Sequence, residues 1–184
     1  MVKRDFIAGI ILATLIFIGF ILLRIFVLAP YIVSESESNA FMHHDDYLMI
    51  SKISQPDYKD FVVYTVDEKK YLGRVVAKEN DSAIYMDDIF YLNNVVESDS
   101  YIDSLKADFQ VQHPDTLFTD DFTLSSLTQS DISTIPKGSY LVLNDNRQNK
   151  SDSRQFGLIT DQQIEGVVAF RILPLSQFGF LTTE

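Results

Sequence analysis

A chain of 184 residues has room for one membrane anchor and one domain of ordinary size, not for a second full core. Its 15 basic and 26 acidic residues leave a formal charge of −11, which disfavours nucleic acid and anionic lipid as partners, since both need positive charge. The lack of cysteine excludes disulfides, thiol catalysis and Cys-ligated zinc.

Residues 6–23 read Phe-Ile-Ala-Gly-Ile-Ile-Leu-Ala-Thr-Leu-Ile-Phe-Ile-Gly-Phe-Ile-Leu-Leu, without a charge. As a helix this run is about 27 Å long, close to the thickness of a hydrocarbon core. Lys3 and Arg4 precede it and Arg24 follows. The basic N-terminus predicts a single-pass protein of the cell membrane, with residues 1–5 cytoplasmic, 6–28 in contact with lipid and the rest outside. A cleaved signal peptide competes with this reading. The run is longer than a usual h-region, however, and no small-x-small site follows it, so an uncleaved anchor is expected. Residues 25–33 are still apolar and either extend the span or lie along the membrane surface. Without Lys3, Arg4, Arg24 and Asp5, the remaining 12 basic and 25 acidic residues give the outer part a charge of −13.

Beyond the anchor the chain reads as mainly β. Tyr47-Leu-Met-Ile-Ser-Lys52 is a short strand before a Pro56 turn. Asp60-Phe-Val-Val-Tyr-Thr-Val66 and Tyr71-Leu-Gly-Arg-Val-Val76 are rich in β-branched and aromatic residues and flank the polar turn 67–70, as in a hairpin. Ala83-Ile-Tyr-Met86 and Asp88-Ile-Phe-Tyr-Leu92 form a second pair. Residues 93–137 are polar, acidic and Ser/Thr-rich, with one helical stretch near 98–109, and are expected to be an inserted subdomain or cap. Strand signals resume at Ser139-Tyr-Leu-Val-Leu143; Thr160-Asp-Gln-Gln163 has a capping-box pattern predicting a short helix; and Gly166-Val-Val-Ala-Phe-Arg-Ile-Leu173 is a strand closed by Pro174. Several short strands at close spacing favour a small, mainly β domain over 29–92 and 138–184.

Three segments, in order, resemble the type I signal peptidase family. Leu143-Asn-Asp-Asn-Arg-Gln-Asn-Lys-Ser-Asp-Ser-Arg-Gln-Phe-Gly157 follows the family's Gly-Asp-Asn-Arg-x-x-Ser-x-Asp-Ser-Arg-x-Phe-Gly, with Asn144 for its Gly and Lys150 for its first Ser. Tyr71-Leu-Gly-Arg-Val-Val-Ala77 is similar to Tyr-x-Lys-Arg-Val-Ile-Gly, which places Gly73 on the general-base lysine. The stretch from Val33 to Leu48 aligns Asp46 and Leu48 with a family Asp and Leu, and places Glu37 on the nucleophilic serine. The resemblance implies a β-barrel-type domain carrying a small insert. It also implies that Asp145, Asn146, Arg147, Asp152, Ser153 and Arg154 are a structural motif bracing a loop. Such residues also pin loops with no catalytic purpose, through local backbone bonds and Arg–carboxylate pairs.

The family's dyad needs a serine hydroxyl activated by a lysine kept neutral by burial. Gly73 has no side chain to accept a proton. A Glu37 carboxylate cannot form the same acyl intermediate, and Glu35, at the oxyanion position, would repel a developing negative charge. Lys150 replaces the serine that steadies the lysine. No catalytic residue, cofactor or metal is therefore expected. The remaining route to proteolysis is a slipped register presenting Ser36 or Ser38, with Lys150 as base, since Lys69 and Lys70 sit in a charged turn and Arg74 does not deprotonate.

Glu35 and Glu37 as an acid pair, and His43-His44-Asp45-Asp46 as a metal site, compete with plainer readings as a solvated edge and a surface loop. His113, Asp87, Asp88, Asp120 and Asp121 read as loop or solvated residues. Met1-Val-Lys-Arg-Asp5, Glu37 and Gly73 together look like the signal-peptidase-like accessory proteins of streptococcal pilus loci. That likeness implies a non-catalytic role beside a sortase and pilin subunits, with peptide or partner bound in the former active-site groove by strand addition. The alternative is an active signal peptidase with an altered dyad.

Overall fold

The computed structural model describes residues 2–181, with the backbone alone for 2–5, 23 and 25. Helix α1 (Val2–Phe26) leads directly into β1 (Leu28–Ile32), which pairs antiparallel with β2 (Tyr47–Ser51). The expected span to residue 28 is therefore too long: the backbone turns at Val27, and the apolar 28–32 are recruited as a strand. Phe6, Ile10, Leu15, Phe17 and Phe20 of α1 are exposed. Among the described residues, no helix is long and apolar enough to cross a membrane. The apolar run read from the sequence includes Leu23, whose side chain lies outside the described residues.

β3 (Phe61–Val66) and β4 (Lys69–Ala77) form the predicted hairpin, turning on Asp67 and Glu68 at φ 48° and 64°. The same left-handed pair recurs at Asp87–Asp88 between β5 (Ala83–Met86) and β6 (Ile89–Leu92), and at Asn93–Asn94 before β7 (Val95–Val96). Two residues with φ > 0 give the turn twist that matches flanking strands, and Asn and Asp tolerate it best among side-chain-bearing residues.

A 3₁₀ turn, Ser100–Ile102, precedes α2 (Asp103–Gln112), so the helix lies a few residues later than its sequence signal. β8 (Phe122–Thr123), α3 (Leu124–Thr128), β9 (Ser139–Leu143), α4 (Ser153–Phe156), β10 (Ile159–Thr160), β11 (Ile164–Leu173) and β12 (Gly179–Phe180) complete the chain. The helix expected at Thr160 is absent. Gln163 Oε1 does accept from the Thr160 N–H and hydroxyl, but the bonds close a tight turn between β10 and β11 instead of capping a helix.

The larger sheet runs β1-β2-β11-β3-β4-β9-β10, with β12 added to β11; the smaller runs β7-β6-β5-β8. The hairpin 83–92 therefore belongs with the insert's strands, ten residues earlier than the boundary read at 93. Tyr85, Phe90 and Phe122 of the smaller sheet pack on Val76, Leu141 and Leu143 of the larger. Along β3, Phe61 and Val63 face one core with Leu48, Ile50 and Leu72, while Val62 and Tyr64 face another with Val75 and Val142. This period of two is what the β-branched run encodes.

Candidate functional site

Residues 34–38 do not form an extended segment. Glu35–Glu37 is a 3₁₀ turn, closed by Glu37 N–H donating to Ser34 O at 3.1 Å. Strand alternation therefore does not apply there, and Glu35 and Glu37 do not share a face: Glu35 is exposed and Glu37 is 7% exposed. This overturns the acid-pair idea. Ser34-x-x-Glu37 fits the pattern in which a serine and a glutamate three residues later satisfy each other's backbone. That signal is present in the sequence.

The Glu37 carboxylate is held by neutral donors. Tyr31 Oη donates to Oε1 and Oε2 at 2.8 and 3.0 Å. Ser34 N–H and Oγ donate to Oε2 at 3.0 and 2.6 Å. The Leu72 N–H, next to Gly73, donates to Oε1 at 2.8 Å. Burial first, and Glu37 second, push the Tyr31 phenol well above the ordinary tyrosine value, so it stays a donor. Glu37 thus sits against β4 at Leu72, the neighbour of Gly73.

At Gly73 there is no space for a base. A Cβ there would lie 2.6 Å from Val142 Cγ1 and 3.2 Å from Leu143 O. The substitutes do not assemble either. Lys150 Nζ pairs with Asp120, both side chains more than half exposed. Lys70 pairs with Glu165 at 3.3 Å and Lys69 is exposed. The exposed Ser36 hydroxyl contacts Ser34 Oγ at 3.2 Å, and its carbonyl accepts from Asn149 Nδ2 at 2.9 Å. Ser38 Oγ donates to Ser34 O at 3.4 Å.

The Asp-Asn-Arg and Asp-Ser-Arg segments form a buried bracket. Asp152 Oδ2 accepts from Asn144 N–H at 2.8 Å, and Ser153 Oγ from Val142 N–H at 3.0 Å. Arg154 bonds Asp152 and donates to the carbonyls of Arg147 and Asn149 at 2.7 Å each. Arg147, 1% exposed, donates to Asn144 O at 2.7 Å. Gln148 N–H reaches the Asn146 side chain.

Asp145 makes a contact that sequence reasoning missed, a two-pronged ion pair with Arg74 at 2.8 and 2.7 Å, both side chains fully buried. The Arg74 guanidinium lies over Phe61 and Tyr101 at 4.1 Å and Phe41 at 5.0 Å, so the insert's Tyr101 closes on the larger sheet. Arg74 appears in the sequence only as a motif match; its partner, 71 residues away, has no local signal.

The presumed surface carboxylates also divide. Among the described residues, no cluster of His, Asp or Glu could hold a metal ion. His43, His44 and Asp45 are exposed, but Asp46 is buried, accepting from His43 N–H at 2.9 Å and pairing with Arg171 at 3.2 Å. Asp88 is likewise not solvated: it accepts from Phe118 and Thr119 N–H groups at 2.9 and 2.7 Å. His113 stacks on Phe109 with centroids 4.6 Å apart. Clefts of about 450 and 610 Å³ flank Tyr101, and neither is lined by Glu37 or Gly73.

The family model described as signal peptidase, peptidase S26, matches residues 4–173. A signal peptidase I of Bacillus caldolyticus is 32% identical over 163 residues, covering 86% of this chain and 86% of its own length. A signal peptidase IB of Staphylococcus aureus MRSA252 is 27% identical over 186 residues, covering 97% and 95%. The crystal structure of a signal peptidase I from Enterococcus faecalis V583 superposes with a TM-score of 0.57 at 32% identity, covering 62% of this chain and 97% of that one.

Proposed function

The chain belongs to the signal peptidase family, peptidase S26, and from that premise we propose that it is a non-catalytic, membrane-anchored member that binds an extended protein segment beside β4 and serves surface pilus assembly. The observation that carries the reading is the state of the two dyad positions. Glu37 is committed to four neutral donors, and Gly73 faces Val142 with no room for an amine-bearing side chain. A serine activated by a neutral amine has no counterpart there.

Strand addition relies on backbone groups and survives the loss of the dyad. Anchoring through α1 is supported by the uncharged apolar run 6–23 and the exposed side chains of the helix. The pilus role, with pilin subunits or a sortase as partner, is supported by the acidic residue and glycine at the dyad positions, the pattern of the streptococcal accessory proteins. The names of the relatives favour a second reading, an active signal peptidase with an altered dyad.

Full-length protein in detergent, given a fluorogenic signal-peptide substrate, separates the two. No turnover is expected. In the native host, deleting the gene should abolish polymerised pili, and a copy carrying Ser36→Ala, Ser38→Ala and Lys150→Ala should restore them. Turnover by the wild type that disappears in that triple variant would overturn the proposal.

A further inference from the structure

We propose that Glu37 is an internal latch: its side chain occupies the free edge of β4 until an incoming extended segment displaces it. This rests on the peptide-binding reading above. On the side of β4 away from β3, Arg74, Val75 and Ala77 pair with β9, while residues 69–73 have no strand partner among the described residues. In an antiparallel strand the N–H and carbonyl of one residue point to the same side, and alternate residues repeat it. Leu72 and Lys70 therefore turn their backbone groups to that free edge. Its central donor, the Leu72 N–H, is already taken by Glu37 Oε1. The carboxylate oxygen stands where an added strand would bring a backbone carbonyl.

The latch is built to release. Its remaining holders, Tyr31 Oη, Ser34 N–H and Ser34 Oγ, are all neutral, so opening it breaks no ion pair. Ser34, Glu35 and Ser36 are exposed, so the side chain can swing to solvent without unfolding the core. An arriving segment then gives a carbonyl to Leu72 N–H and donates its own N–H groups to the Leu72 and Lys70 carbonyls. Recognition by these groups selects extended backbone and leaves side-chain choice to the flanking surface.

The test uses full-length protein in detergent and a fluorescein-labelled signal-peptide segment ending in Ala-x-Ala. Binding is followed by anisotropy, and the Leu72 amide by hydrogen exchange. In wild type without peptide, Leu72 should be protected. Glu37→Ala should lose that protection, regain it with peptide, and bind the peptide on the order of ten- to a hundred-fold more tightly, the worth of one charge-assisted hydrogen bond. Tyr31→Phe loosens the latch without removing it and should give a smaller gain, which guards against misfolding of Glu37→Ala. If peptide protects Leu72 in Glu37→Ala but neither variant binds it more tightly than wild type, the latch is refuted and the groove reading stands. If peptide protects Leu72 in no variant, both fall.

Discussion

Adding one methyl group at Gly73 tests whether β4 and β9 leave space for a base. In Gly73→Ala the new carbon would sit 2.6 Å from Val142 Cγ1 and 3.2 Å from Leu143 O, where carbon atoms ordinarily approach to about 3.5–4.0 Å. Val142 cannot easily yield. It is fully buried, β-branched and so stiff at χ1, and its strand is held by the Arg74–Leu143 and Val75–Val142 pairings. Relief must come from an off-rotamer valine or a widened strand gap, a loss of about 1–3 kcal/mol. Val142→Ala alone should lose roughly 2 kcal/mol through two missing methyl groups and a small cavity. In the double variant the new methyl fills the space vacated by Cγ1, so the two losses should not add; a coupling of about 1–2 kcal/mol is expected. Equilibrium urea unfolding in detergent, followed by tyrosine fluorescence, measures all three. A Gly73→Ala variant as stable as wild type, or strictly additive losses, would refute the packing argument. Gly73→Lys carries the same clash at its first carbon, so attempts to rebuild the dyad should begin from a destabilised scaffold.

Asp145→Asn removes the carboxylate paired with the fully buried Arg74 and should cost about 3–5 kcal/mol in the same unfolding assay; a loss below about 1 kcal/mol would mean that the other contacts of Arg74, the Lys59 carbonyl and the aromatic rings among them, suffice to hold it. Burial raises the phenols of Tyr31, Tyr64 and Tyr85 above their ordinary value of 10.0. A raised value favours the protonated form of the folded protein, so this stabilisation is complete below pH 10 or so and is lost as pH climbs towards the folded-state values. Denaturation midpoints should fall steeply above about pH 10, with part of the tyrosinate absorbance rising only together with unfolding; full ionisation of all nine tyrosines in a folded chain would contradict the assignment. Lys150→Ala should leave stability within about 1 kcal/mol of wild type, because its pair with Asp120 is more than half exposed on both sides. A larger loss would mean that Lys150 supports the fold through more than its pair with Asp120.

The chain's own order of residues was enough to reveal the β-rich domain and the main hairpin, because each is a local property, while Glu37 and Gly73 stood out only through the resemblance to the signal peptidase family. The run from Phe61 to Val66 alternates between two cores. The bracket residues from Asp145 to Arg154 were picked out by the same resemblance, and their short-range bonds among 144–154 follow from their closeness in sequence. Tertiary contact decided the rest. The run 28–32 became a strand because β2 offered an open edge, and Thr160–Gln163 became a turn because β11 had to return along β3. Arg74 and Asp145 meet only when β4 and β9 pair, and the Leu72 N–H reaches Glu37 only when a turn from one end of the domain folds against a strand from its middle. Backbone edges and long-range ion pairs leave no periodicity in a sequence; packing alone brings their partners together.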